Sequence, residues 1–195
     1  MKDAYAFSVS VLALAISAFT LWLTQWRRGN LRMTTPVLVG FLYDLPAGEL
    51  KVFFRSMLFS TGKRGHIIES LFLRVRCGES SQVFNFWMYG ETKALMIGSG
   101  LRVTEDGVTA NHHFMPPKGE NNFAFLAGEY AIEVYARIIM RSATVLLSSV
   151  KVTLTEPQAT ALKDKRNGFL FTWGPDSQSY RAQIDTAPAS MGASV

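Results

Sequence analysis

The chain is poor in the residues that site chemistry most often recruits. Its 195 residues contain one cysteine, Cys77, and three histidines, His66, His112 and His113. A lone cysteine excludes an internal disulfide, so buried apolar surface has to hold the fold together. Paired cysteines, HExxH and EF-hand spacing are all missing, which removes the usual sequence signatures of a metal site. His112 and His113 are neighbours, and on a strand they point to opposite faces, so they do not converge on one ion. His66 follows the turn-forming "GKRG" and reads as a solvated turn histidine. No cofactor is implied.

Nucleophile motifs are equally scarce. The sequence has no GxxxxGK[ST] phosphate loop and no GxSxG elbow, and Cys77 ends a predicted strand beside "GES" with no evident base. Glu105 and Asp106 precede Gly107 and read as a hairpin turn. The expectation is a protein that is not an enzyme. A cryptic hydrolase, its polar cleft assembled only by folding, is the alternative in that class.

Charge is also sparse, at 18% of residues against 48% hydrophobic ones. Residues 4–23, "AYAFSVSVLALAISAFTLWL", hold twenty positions without a charge. At 1.5 Å per residue, such a helix crosses the roughly 30 Å hydrocarbon core of a bilayer. Tyr5 at one end, and Trp22 and Trp26 at the other, are the amphipathic aromatics favoured at headgroup level. Against a cleaved signal peptide, the apolar run continues past the small residues of "AIS" to Leu23. Arg27, Arg28 and Arg32 then follow within ten residues, while Lys2 lies on the other flank. This bias predicts a single-pass anchor in the cell membrane, with the N-terminus outside and the remaining domain in the cytoplasm. The opposite orientation would make that domain a periplasmic envelope-binding module.

Small or hydroxylated side chains at Ala6, Ser10, Ala13, Ser17 and Thr20 recur every three or four residues and form one stripe. Such stripes let helix backbones approach closely in lipid, so self-association or a membrane protein partner is expected there.

The formal net charge is +5, and Lys2 and Asp3 apart, all charged residues lie from Arg27 onward. A domain held beside anionic lipid heads suits that excess. Nucleic acid is the sharper reading, with Lys63, Arg64, Arg74 and Arg76 as a stripe. The acids Glu69 and Glu79 interrupt it and no nucleic-acid motif accompanies it, so nucleic acid is not among the expected partners.

Beyond the linker at residues 27–35, hydrophobicity changes from unbroken to alternating, as in strands with one wet face. Ile67, Leu71, Leu73 and Val75 are placed on one face, with Ser70, Arg74 and Arg76 on the other. Tyr130, Ile132, Val134, Ala136 and Ile138 are placed inward, opposite Glu133, Tyr135 and Arg137. No helical stretch long enough for a parallel crossover intervenes. The expected fold class is therefore all-β, an N-terminal transmembrane helix followed by an antiparallel sandwich of seven or eight strands.

"AGEYAIEVYARI", with Gly128 and Tyr130 leading an alternating strand, resembles the penultimate strand of immunoglobulin-like and fibronectin-type sandwiches. "RSMLFSTGKRGHIIESLFLRV" resembles a hairpin of bacterial domains of that class. The likeness covers residues 36–155 and concerns fold style. It implies a tyrosine that ties a corner to nearby backbone, and because the cysteine pair of antibody domains is missing it implies no particular ligand.

The expected organisation is a tail at 1–3, the transmembrane helix at 4–26, the linker, the immunoglobulin-like sandwich at 36–155, a helix and edge extension at 156–185, and a disordered tail at 186–195. In the extension, "ATALKDKRNG" reads as a short helix capped by Gly168. Phe169, Phe171 and Trp173 then alternate as an added edge strand or an aromatic flap. Trp173 and Tyr180 are the candidate partner-binding residues, since Trp and Tyr anchor interfaces. Together these readings predict a membrane-anchored binding protein that serves as an accessory, scaffold or sensory subunit of a membrane complex.

Overall fold

The computed structural model describes residues 2–26, 29–44, 48–89, 95–98, 100–117, 119 and 123–185. Helix α1 (Lys2–Leu21) runs directly into a π-helical turn, Trp22–Trp26. The stretch Asp3–Trp26 is 24 residues long with a mean hydropathy of 2.0, and none of it is buried against the rest of the chain. It is long and apolar enough to cross a membrane. Arg27, Arg28 and the tail at 186–195 lie outside the described residues.

The strands are β1 (Leu31–Met33), β2 (Leu38–Asp44), β3 (Glu49–Ser60), β4 (His66–Cys77), β5 (Ser80–Tyr89), β6 (Leu95–Ile97), β7 (Leu101–Val103), β8 (Val108–Met115), β9 (Gly128–Ile138) and β10 (Val145–Leu154). Helix α2 (Glu156–Ala161), β11 (Gly168–Gly174) and β12 (Ser179–Asp185) complete the fold. All these strands belong to one antiparallel sheet with the order β10-β9-β4-β5-β8-β3-β2-β11-β12. Three short strands pair beside that path: β1 with β3, β6 with β5 and β7 with β4. The expectation of seven or eight strands was too low. Brief pairings are invisible to periodicity, and the segment set apart as an extension inserts β11 and β12 next to β2.

One hydrophobic core gathers the inward residues of nearly every long strand, so the sheet bends over itself into a sandwich-like body. At its centre the ring of Phe41 stacks on Phe125 at 4.5 Å and meets Tyr130 and Phe171 edge-on at 5.1 and 5.2 Å. The Tyr130 hydroxyl donates to the Leu126 carbonyl at 2.6 Å, four residues upstream. This ties the entry of β9 to the preceding corner, as the resemblance implies. Strand β3 is buried on both faces, because Phe53 packs with Leu42 and Leu170 in a small second cluster on the outer side.

Four local readings need correction. Leu31–Met33 is a strand rather than linker; it pairs with Leu58–Ser60 and buries Leu31. A β-bulge between Ile68 and Ser70 reverses the parity of β4, so Ile68 points inward and Ile67 is exposed. His66 is buried, not solvated, because it already belongs to β4 and pairs with Val103. The short helix starts earlier, after Thr155, whose N–H donates to the Gln158 side chain at 2.8 Å, and it ends at Ala161 rather than at Gly168. Local bonds win there: Asn167 Nδ2 donates to the Ala161 carbonyl, and Asp164 accepts from the Arg166 backbone.

Candidate functional site

The body has two features that local packing does not account for, one at the end where the helix joins it and one along the seam where the sheet fails to close.

At the helix end, Asn30 N–H donates to Thr61 Oγ1 at 2.8 Å and Thr61 N–H donates to the Asn30 carbonyl at 2.9 Å. Gly29 has φ +65°, and a Cβ there would run into the backbone of Thr61 and Gly62. Only glycine fits this crossing. The β3–β4 turn is thus fastened beside the end of the π-helical turn, and Lys63 and Arg64 line one hollow with Gln25 and Trp26. Arg64 is shared with a second cavity of about 220 Å³, which Arg102 and Arg141 also line. The predicted basic stripe is therefore split. Lys63 and Arg64 sit at the helix end, whereas Arg76 and Arg74 reach Glu133 at 2.6 and 3.9 Å on the flank of the sheet.

The seam lies between β10 and β12. Strand β10 pairs on one side with β9 and β12 pairs on one side with β11; among the described residues no strand pairs with the outer edge of either. Between them lies a groove of about 520 Å³, with Ser149–Thr153 on one wall and Trp173, Ser179 and Tyr180 on the other. The Trp173 and Tyr180 rings lie 4.9 Å apart, and the Tyr180 hydroxyl donates to the Pro36 carbonyl at 2.7 Å. Burial pushes this phenol up to about 12, so it stays protonated and keeps that bond. Both residues are half-buried and line the groove, and Tyr180 also packs against the core. β11 is not an edge strand, since β12 covers it, and Phe169 and Phe171 belong to the core.

The remaining candidates are placed as follows. Tyr5, Trp22 and Trp26 are exposed on the long helix, and Arg32 is exposed in β1 opposite Phe59. Ala6, Ser10, Ala13, Ser17 and Thr20 are all exposed. The hydroxyls of Ser10 and Thr20 donate to the carbonyls four residues back, Ala6 and Ile16. Their protons are consumed within the helix, so the stripe offers close approach rather than donors.

His112 and His113 point to opposite faces, and both are buried. His112 lies on the core side near Phe86, and burial pushes it down to about 4 against the opposing bond to the Ser56 carbonyl. His113 lies outward against Phe53, and burial, then the Lys51 charge and His112, push it down to about 3. Lys51 is itself lowered by burial, although its ion pair with Asp44 at 3.4 Å opposes this. Both imidazoles are neutral at pH 7 and serve packing. Among the described residues, no three His, Cys, Asp or Glu side chains are grouped to hold a metal.

Sequence reading missed the arginine cavity and the open seam, because both are made by residues far apart in the chain. The basic turn "GKRG" was the one visible signal. No protein-family model matches the chain, and no curated protein matches it either. The geometry alone therefore has to carry the functional reading.

Proposed function

We propose that the chain is a membrane-anchored, non-enzymatic binding subunit, with an immunoglobulin-like domain that accepts an extended segment of a protein partner along the outer edge of β10. The observation that carries this reading is the unpaired β10 edge facing the fixed Trp173–Tyr180 pair across the groove. Unpaired strand edges recruit extended peptides through main-chain hydrogen bonds, and adjacent aromatic anchors supply specificity. The tie of Tyr130 to Leu126 supports the immunoglobulin-like assignment.

We further propose that the domain lies on the cytoplasmic side. Lys63 and Arg64, fixed beside the helix end, add to the basic flank of Arg27, Arg28 and Arg32, and such flanks stay in the cytoplasm. Reporter fusions after Val195 check this side: an external signal would overturn it and favour an envelope-binding module.

The test of binding is site-specific photocrosslinking in cells from Lys151 and Gln178, followed by purification in mild detergent. One discrete crosslinked partner is expected, lost in Trp173→Ala while the protein level is unchanged. Truncating an interface anchor of this kind costs roughly 2 kcal/mol, about thirtyfold in affinity. Repeated recovery of the free monomer alone would sink the proposal.

A further inference from the structure

Arg64 in the β3–β4 turn, Arg102 in β7 and Arg141 in the β9–β10 turn come from three separate parts of the chain to line one cavity of about 220 Å³. All three are exposed, and none makes an ion pair with a described acid. The contrast with Arg74, Arg76 and Arg137 is informative, because each of those has a carboxylate partner on the sheet. Beside the arginines, Ile139 and Met140 are 46% and 83% exposed. Met140 holds a left-handed φ of 67° at the tip of its turn, a conformation that non-glycine residues seldom adopt. A cluster of unneutralised cations next to protruding apolar side chains is the pattern of a surface that meets lipid headgroups and the acyl boundary together.

The position of the cavity decides the ligand. Arg64 also lines the hollow against Gln25 and Trp26, so the cavity adjoins the end of the apolar helix. We infer that Arg64, Arg102 and Arg141 form a binding site for the phosphate of an anionic phospholipid in the leaflet where the helix emerges, with Met140 and Ile139 reaching into the acyl boundary. Guanidinium groups bind phosphate oxygens with paired, charge-assisted hydrogen bonds, and one such pair engages both non-bridging oxygens of a phosphodiester while its neighbours add to the attraction for the anionic surface. Docking here would hold this end of the body against the membrane surface. The inference rests on the helix being an anchor and is independent of the partner groove.

The experiment uses the full chain in nanodiscs of phosphatidylcholine, with and without phosphatidylglycerol, and reads hydrogen exchange at Ile139–Arg141 and Lys63–Gly65. Co-elution with the discs reports the anchor by itself; a chain that does not co-elute removes the anchor and this inference with it. Phosphatidylglycerol is expected to slow exchange at both turns about tenfold or more, and Arg64→Gln/Arg102→Gln/Arg141→Gln is expected to abolish the slowing. Unchanged exchange at Ile132–Ala136 shows that the variant is folded. Should it not fold, Arg141→Gln alone, at an exposed turn, is expected to reduce the slowing about fivefold. Equal exchange in the two disc types from a co-eluting chain overturns lipid binding. Equal protection by inorganic phosphate in phosphatidylcholine discs assigns the cavity to a free anion and also overturns it.

Discussion

Acid should loosen this fold through a histidine that the sheet holds in the wrong protonation state for low pH. His112 is 2% exposed, donates to the Ser56 carbonyl, and its Nε2 has no hydrogen-bond partner among the described residues. Its folded value is about 4, against 6.5 for the ordinary group. Above pH 6.5 the ring is neutral in both the folded and the unfolded chain, and its contribution is constant. Between 6.5 and 4 the unfolded chain takes up the proton and the folded one does not, so stability falls with falling pH, and the loss levels off below 4. At pH of about 4.5 the cost is about 2 to 3 kcal/mol, from about 1.36 kcal/mol per pH unit.

Carboxylates and His113 also titrate in this range, so the informative quantity is a difference between two proteins. His112→Phe keeps a ring next to Phe86 and removes the titration. Urea unfolding of the full chain in a nonionic detergent, followed by tryptophan fluorescence, gives the stability of each protein at pH of about 7.5 and about 4.5. Whatever the offset at neutral pH, the wild type is expected to lose about 2 to 3 kcal/mol more than the variant on acidification. Equal losses would refute the claim that His112 is held neutral by burial.

Two further outcomes follow from the packing. Tyr130→Phe removes the 2.6 Å bond to the Leu126 carbonyl and is expected to cost about 1 kcal/mol, read as a fall of a few degrees in the midpoint of thermal unfolding. Ser10→Leu with Ser17→Leu fills the small stripe of α1 and is expected to reduce cross-linking between neighbouring helices in lipid; unchanged cross-linking would remove that stripe as a contact.

Alternating strands were the most legible part of the chain. β9 places Tyr130, Ile132, Val134, Ala136 and Ile138 inward as its period-2 pattern predicts, because a strand with one wet face writes its burial directly into its sequence. β4 follows the same pattern from Leu71 to Val75, but a bulge between Ile68 and Ser70 reverses it at the start of the strand, and no local pattern announces a bulge. β11 misled for a different reason. Phe169 and Phe171 suggested an edge or a flap, yet Leu170 between them is buried as well, which is the mark of a strand covered on both faces. His66 read as solvated because "GKRG" ends where a 12-residue strand begins. The three arginines of the cavity are separated by dozens of residues, and only the pairing of β7 with β4 and of β4 with β9 brings them together.

The two proposed surfaces are linked by a distance. β10 begins at Val145, opposite Ala136, near the end of β9 that carries the arginine cavity. The groove wall runs from Ser149 to Thr153, four to eight residues further along the strand. At about 3.3 Å per residue, the groove lies roughly 13 to 26 Å from the arginine-bearing end. If that end rests on headgroups, a partner embedded in the same membrane needs only about four to eight extended residues beyond its own helix to occupy the groove. A partner segment entering from the membrane would run along β10 past the Trp173–Tyr180 pair. Neutralising the arginines would then weaken partner capture without touching the groove, because a body no longer held to the headgroups presents it less closely to the membrane. A soluble partner would show no such dependence, so photocrosslinking yield from Lys151 in Arg141→Gln separates a membrane-embedded partner from one that arrives through the aqueous phase.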